Sequence, residues 1–225
     1  MSVSELSAST QNYLKAIWAA AEWSDSPITA TVLAERLGLK MPTVSEGIRK
    51  LQKQNLVTHT PYGSVQLTQD GRNYALQMVR RHRLIETFLV ETLGYSWDEV
   101  HEEAEHLEHA VSDLLVERID KLLKHPTRDP HGDPIPGADG SFTPPDAVQL
   151  TLVPAPAKVQ VERIADDDPE LLQYFLACEI TIGSILNITD GAPYSGTVVV
   201  ECKDAQEEIT LGRTATDALY VSHTN

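Results

Sequence analysis

Eight of the thirteen prolines in this 225-residue chain fall between Pro126 and Pro156. Proline lacks the backbone donor that a helix interior or a central strand requires, so no regular element runs through that stretch. The run His125-Pro-Thr-Arg-Asp-Pro-His-Gly-Asp-Pro-Ile-Pro-Gly137, continued through Pro144-Pro145, therefore reads as a linker. The chain has to fold as separate parts on either side of it. Before it the apolar residues recur at helical spacing; after it they alternate over short stretches.

Charge divides the chain a second time. The whole carries a formal −15, which as an average argues against a nucleic-acid partner. Residues 1–84, however, hold ten Lys/Arg and six acids, a net of +4, and the rest carries −19. Such asymmetry points to different partners for the two regions. No run of about 18 apolar residues is present and the first ten residues lack a basic start, which predicts a cytoplasmic protein with no membrane partner. Cys178 and Cys202 are the only cysteines, too few for a disulfide framework or a thiolate zinc site, and are expected as reduced thiols.

The basic region reads as three helices and a hairpin. Ser9 is placed to cap a first helix running to about Trp23, with Tyr13, Leu14, Ile17, Trp18 and Ala21 on its apolar face. A second spans about Thr31 to Gly38, with Val32, Leu33 and Leu37 inward. A third starts with Pro42 in its first turn and turns Val44, Ile48 and Leu51 inward. Its other face offers Thr43, Ser45, Glu46, Arg49, Lys50 and Lys53. Two short strands, Leu56 to Thr58 and Val65 to Leu67, flank a Pro61-Tyr62-Gly63 tip. This order resembles a winged helix-turn-helix, in which short polar groups and cations of the third helix reach bases and phosphates. The competing reading is a solvated charged face on an ordinary helical domain. Glu46 suits contact with a cytosine amino group, or is repelled by phosphate.

Two long helices are expected next. Residues 74–93 form an amphipathic pattern ending at Gly94 and carry His82 and, one turn on, Glu86. A second is predicted from a Ser96 cap to about Lys124. On one continuous helix His101, Glu105, Glu108 and His109 would share a side, a set of oxygen and nitrogen donors able to converge on a divalent cation, with His82 and Glu86 facing them. A merely solvated polar stripe is the alternative. The string His101-Glu-Glu-Ala-Glu-His106 is no zinc-protease motif, because its histidines are five apart rather than four. No nucleophile elbow, Walker loop or dinucleotide fingerprint occurs, so nothing supports an enzyme or a small-molecule substrate.

The winged helix, Arg80-Arg-His-Arg-Leu-Ile-Glu86, Val100-His-Glu-Glu-Ala-Glu-His-Leu-Glu-His-Ala-Val-Ser-Asp113 and Asp129-Pro-His-Gly-Asp-Pro-Ile-Pro-Gly137, in this order, resemble the diphtheria toxin repressor family of metal-dependent transcriptional regulators. The resemblance covers nearly the whole chain and is strongest to three-domain, manganese-responsive members from actinobacteria. It implies a mainly α protein with a small β part: a winged helix-turn-helix over 1–73, a helical dimerisation and metal-binding domain over 74–125, the linker over 126–157 and an SH3-like domain over 158–225. For that last part the sequence itself offers five or so short strands, within 159–161, 179–182, 185–188, 197–202, 209–211 and 218–221, suggesting a small barrel; the resemblance, in making it SH3-like, implies a groove for Pro134-Ile-Pro136.

The resemblance further implies a homodimer that binds a palindromic double-stranded operator when two metal sites are filled. One site would use Glu105, Glu108, His109 and Asn12; the other His82, Glu86, His101 and Asp168, with Asp166 or Asp167 as substitutes for Asp168. Iron-type members carry Cys at the place of Glu105 and Met at that of Asn12. Oxygen donors there harden the site and favour Mn²⁺ over Fe²⁺, although Fe²⁺ or another divalent metal is the alternative cofactor. Manganese members commonly place Asp where this chain has Asn12. Lys15, one turn later, argues against a paired-manganese arrangement. The expected function is a manganese-dependent repressor of metal uptake genes, in which uncompensated carboxylates leave the first helix loose until metal binds. The rivals are an iron-dependent regulator and, from another class, a metal buffer or metallohydrolase.

Overall fold

The computed structural model describes residues 2–24, 26–60, 63–202 and 208–224. The chain forms two compact units, the first of residues 1–85, 105–125 and 135–143 and the second of residues 86–104, 126–134 and 144–225. Each has its own buried core.

The first unit opens with α1 (Ala8–Glu22), capped by Ser7 rather than Ser9, the Ser7 side chain accepting from Thr10 N. Helix α2 (Ala30–Leu37) is capped by Thr29 and closed at Gly38, and α3 (Met41–Lys53) carries Pro42 in its first turn. Val44, Ile48 and Leu51 of α3 are buried with Tyr13, Leu14, Ile17 and Leu33, each such side chain contributing about 1.5–3 kcal/mol of burial. Gly47 sets how closely α3 approaches α1, since a Cβ there would fall 2.4 Å from the Tyr13 ring. Strands β1 (Val57–His59) and β2 (Val65–Leu67) pair antiparallel, with Val57 opposite Leu67. Of the tip between them, Pro61 and Tyr62 lie outside the described residues.

Helix α4 (Gln69–Leu93) starts five residues before the predicted 74. The second long helix expected from Ser96 to Lys124 is instead two, α5 (Val100–Leu107) and α6 (Asp113–Leu122). Ser112 starts α6 by accepting from Leu115 N, and Asp113 is held by Arg81 and Ser4. At the break, the Glu108 carbonyl is taken by Arg81 Nη1 at 3.1 Å. A good N-cap and a buried guanidinium thus outweigh helix continuation, and Glu108 and His109 sit on the turn after α5. Ser96 does not cap α5; it donates to Glu99 in the turn before it.

In the second unit β3 (Val148–Gln149), β4 (Ala157–Ile164), β5 (Ile185–Asp190), β6 (Val198–Cys202), β7 (Glu208–Leu211) and β8 (Leu219–His223) form one sheet in the order β3-β8-β4-β5-β6-β7. All neighbours pair antiparallel. Two helices accompany it, α7 (Pro169–Ala177) and α8 (Arg213–Ala218). Phe175 and Leu172 of α7 are buried with Val159, Val161, Leu186, Val200 and Leu219. The strand expected over 179–182 is a turn, with Glu179 at φ +57°. Cys202 is buried, Cys178 half-buried, and both thiols are free.

The proline-rich stretch is not a solvated spacer. Asp129 and residues 131–136 are buried. Within the second unit, His131 O accepts from Ile164 N (2.9 Å), Asp133 takes the Arg163 guanidinium, and Asp129 Oδ1 accepts from His131 N and Asp133 N. Gly132, at φ +89°, allows this approach: a Cβ would lie 2.1 Å from Glu162 O. The prolines stiffen a segment laid along β4. Among the described residues no helix is long and apolar enough to cross a membrane.

Candidate metal centre

Two sets of donors form, one in each unit. In the first, His82 from α4 and Glu105 and Glu108 from the end of α5 and its following turn bring their ligand atoms within 4.8 Å of one another. Lys15 of α1 lies among them, its Nζ 2.6 Å from Glu105 Oε1, 2.7 Å from Glu108 Oε2 and 2.9 Å from His82 Nδ1. His82 Nδ1 also lies 2.7 Å from Glu108 Oε2. Burial alone would neutralise the fully buried Glu108, but Lys15 and His82 outweigh it and hold its carboxyl down to about 2. Burial likewise works against the Lys15 ammonium, and Glu108 and Glu105 more than reverse it.

The acid cluster is thus compensated by a lysine, and α1 is tied to the turn after α5. This differs from the expectation that uncompensated repulsion leaves the first helix loose. Glu108 Oε1 makes no hydrogen bond, and His109 Nε2 lies 3.5 Å from it. His109 Nδ1 meets Gln11 Oε1 at 2.7 Å, and the buried Asn12 Oδ1, next along α1, has no hydrogen-bond partner. Buried oxygens without donors suit a cation.

In the second unit His101 Nδ1 lies 3.2 Å from Glu86 Oε1 and 2.9 Å from Asp166 Oδ2. Burial disfavours the His101 cation, but Asp166 and Glu86 prevail and push it up to about 11. Asp166 is held well below the usual carboxylate range, burial being outweighed by His101, His131 and Arg163. Asp168 does other work: its Oδ1 caps α7 by accepting from Glu170 N and Leu171 N. Glu86 also groups with Asp129 and His131, ligand atoms again within 4.8 Å. The fully buried His131 is hydrogen-bonded through Nε2 to Trp97 O (2.7 Å) and stacks on the Trp97 ring. His131 Nδ1 is buried and has no hydrogen-bond partner.

On α3, Pro42, Thr43, Glu46, Arg49, Lys50 and Lys53 are exposed and Ser45 is half-buried; Arg49 Nε donates to Ser45 O. Sequence reasoning passed over Asp129 and His131 because they lie in the proline run. An acid and an imidazole two residues apart were the available signal. It also gave Lys15 no role inside the cluster, and nothing local ties residue 15 to residues 82, 105 and 108.

Family models match along the chain: an iron-dependent repressor N-terminal DNA-binding domain over residues 5–65, an iron-dependent repressor metal-binding and dimerisation domain over 68–137, and a FeoA domain over 148–223. The iron-dependent repressor IdeR of Mycobacterium leprae is 35% identical over 178 residues, which cover 73% of this chain and 77% of that protein. The diphtheria toxin repressor of Corynebacterium diphtheriae is 33% identical over 191 residues, covering 80% and 84%. The chain belongs to the diphtheria toxin repressor family. As a member it is a metal-dependent transcriptional repressor with a helix-turn-helix DNA-binding domain, a helical dimerisation domain and an SH3-like FeoA domain. Proteins of this family are regulators, not enzymes. Among solved members, a manganese-dependent transcriptional repressor in complex with manganese is 50% identical, with a TM-score of 0.92 over 96% of this chain and 100% of that one. ScaR with bound Zn²⁺ is 30% identical, TM-score 0.83, over 96% and 99%.

Proposed function

We propose that this repressor is activated by manganese, binds a palindromic operator as a homodimer and silences metal uptake genes. The observation that carries the choice of metal is the donor chemistry. Both sets offer carboxylate oxygens and imidazole nitrogens, and the first adds the Asn12 amide, while the two thiols lie elsewhere, on β6 and after α7. Oxygen-rich sites without thiolate or thioether favour Mn²⁺ relative to Zn²⁺ and Fe²⁺ beyond their intrinsic order. The manganese-bound relative at 50% identity supports the same reading.

In this proposal Glu105, Glu108, His109 and Asn12 are the ligands in the first unit, with Gln11 orienting His109 and His82 beside Glu108. Glu86, His101 and Asp166 serve in the second, where Asp129 and His131 add donors and Asp168 keeps its capping role. A bound dication supplies charge neutralisation and a bridge between elements. The protein's part is positional: Asn12 and Gln11 bring α1 to the turn after α5, and α1 packs on α3, whose Arg49, Lys50 and Lys53 would meet phosphates while Thr43, Ser45 and Glu46 face bases. The working parts are residues 1–73 as reading head, 74–125 as dimerising body, 126–157 as a connecting segment that also supplies donors, and 158–225 as the SH3-like part.

Iron is the second reading, favoured by the relatives named iron-dependent at 35% identity. Side-by-side anoxic titration of Mn²⁺ and Fe²⁺ against operator binding decides between them. The proposal expects half-maximal binding at lower Mn²⁺; activation by Fe²⁺ at equal or lower concentration would overturn it.

A further inference from the structure

The Lys15 ammonium occupies the place among Glu105, Glu108 and His82 that a ligated cation would need. Its side chain is only 15% exposed, so it is no rim lysine leaning on an acid. We propose that Lys15 is the resident cation of this set, and that a divalent ion binds at Glu105 and Glu108 by displacing its ammonium. The inference rests on the metal-activated reading above and adds the competitor that sets the metal threshold.

Space and charge both set the ammonium against a metal ion here. Glu105 Oε1 and Glu108 Oε2 each lie within 2.7 Å of Nζ, which leaves no room for a metal ion bonded to the same oxygens. Two cations at such separation would also repel strongly in a partly buried site. Lysine suits the exchange because its charge is a point on a flexible four-carbon stem, able to swing to solvent without moving α1. An arginine fork would grip the carboxylates in a fixed plane. Binding then exchanges one charge for two, so each incoming ion is weakened by the strength of the lysine contacts, and ions of low intrinsic affinity fall out of range.

The test is calorimetric titration of chelator-stripped, full-length protein with Mn²⁺, comparing wild type, Lys15→Met and Lys15→Arg. Methionine keeps the stem and removes the charge. Its dissociation constant should fall about tenfold or more, and the gain should persist at about 0.5 M salt, where a distant charge is screened. The gain should vanish in Lys15→Met/Glu105→Gln, and Lys15→Arg should bind no tighter than wild type. Without metal, Lys15→Met should melt lower than wild type and show a larger Mn²⁺-induced rise. If Lys15→Met does not fold without metal, Lys15→Gln carries the same expectation. Equal or weaker Mn²⁺ binding by the neutral variant, or a gain lost in high salt, would overturn the displacement while leaving manganese activation standing. A wild type that binds no Mn²⁺ would overturn the underlying reading instead.

Discussion

Glu108→Gln keeps the shape of the most enclosed acid in the first unit and removes its charge. The carboxylate faces Lys15 Nζ and His82 Nδ1, each at 2.7 Å, and its side chain is fully buried. Its carboxyl is held to about 2 in the folded protein against an ordinary 4.5. That difference corresponds to about 3 kcal/mol of stability for the metal-free protein. Because the folded value is the depressed one, the contribution is fully present above pH 4.5 and is lost as pH falls through about 2. Loss of one partner of a buried ion pair typically costs about 3–5 kcal/mol, in the same range. Urea unfolding followed by helical circular dichroism, with chelator present, should separate wild type and variant by about 3 kcal/mol at pH 7 and by less than half of that at pH 3. A gap below about 1 kcal/mol at pH 7, or one that does not narrow in acid, would refute the claim that Lys15 and His82 stabilise this carboxylate.

Replacing Arg49 and Lys50 together by Ala should weaken operator binding and reduce the salt slope of log K by about 3.6, for four phosphate contacts in a dimer; fluorescence anisotropy across a salt series measures it. Glu105→Cys should broaden activation towards Fe²⁺ in anoxic titrations, and an unchanged preference would count against Glu105 as a selectivity ligand. Gly132→Ala should destabilise the second unit by about 2 kcal/mol or more, because φ is +89° and the new Cβ meets Glu162 O; a melting curve unchanged from wild type would contradict that packing.

Local signals read well from the sequence. The apolar spacing of Tyr13, Leu14, Ile17 and Trp18, and of Val44, Ile48 and Leu51, gave α1 and α3 nearly to their ends, because periodicity and caps act within a few residues. Helix α7 was missed although Asp168-Pro169-Glu170 is a start signal, with cap, first-turn proline and early acid in succession. The α5–α6 break turned on a distant partner: Ser112 and Asp113 could be read as a cap, but the Arg81 that holds Asp113 and the Glu108 carbonyl lies about a helix away. Composition marked 126–157 as a linker without regular structure; residues 126–136 form no helix or strand, but β3 and a short 3-10 turn at Leu150–Leu152 lie inside that stretch. It could not show that Asp129, His131 and Asp133 would be buried by β4. The reach of Lys15 to residues 105 and 108 is likewise tertiary, and no spacing rule spans it.

Operator binding with and without metal tests the central claim most directly. Full-length protein would be titrated onto a palindromic site selected in vitro in the presence of Mn²⁺, once with Mn²⁺ and once with a chelator. Tight binding with Mn²⁺ that is lost in chelator is the expected result. Equal affinity in the two would contradict a metal-activated repressor, since an ion that does not favour the DNA-competent state cannot shift the equilibrium towards it.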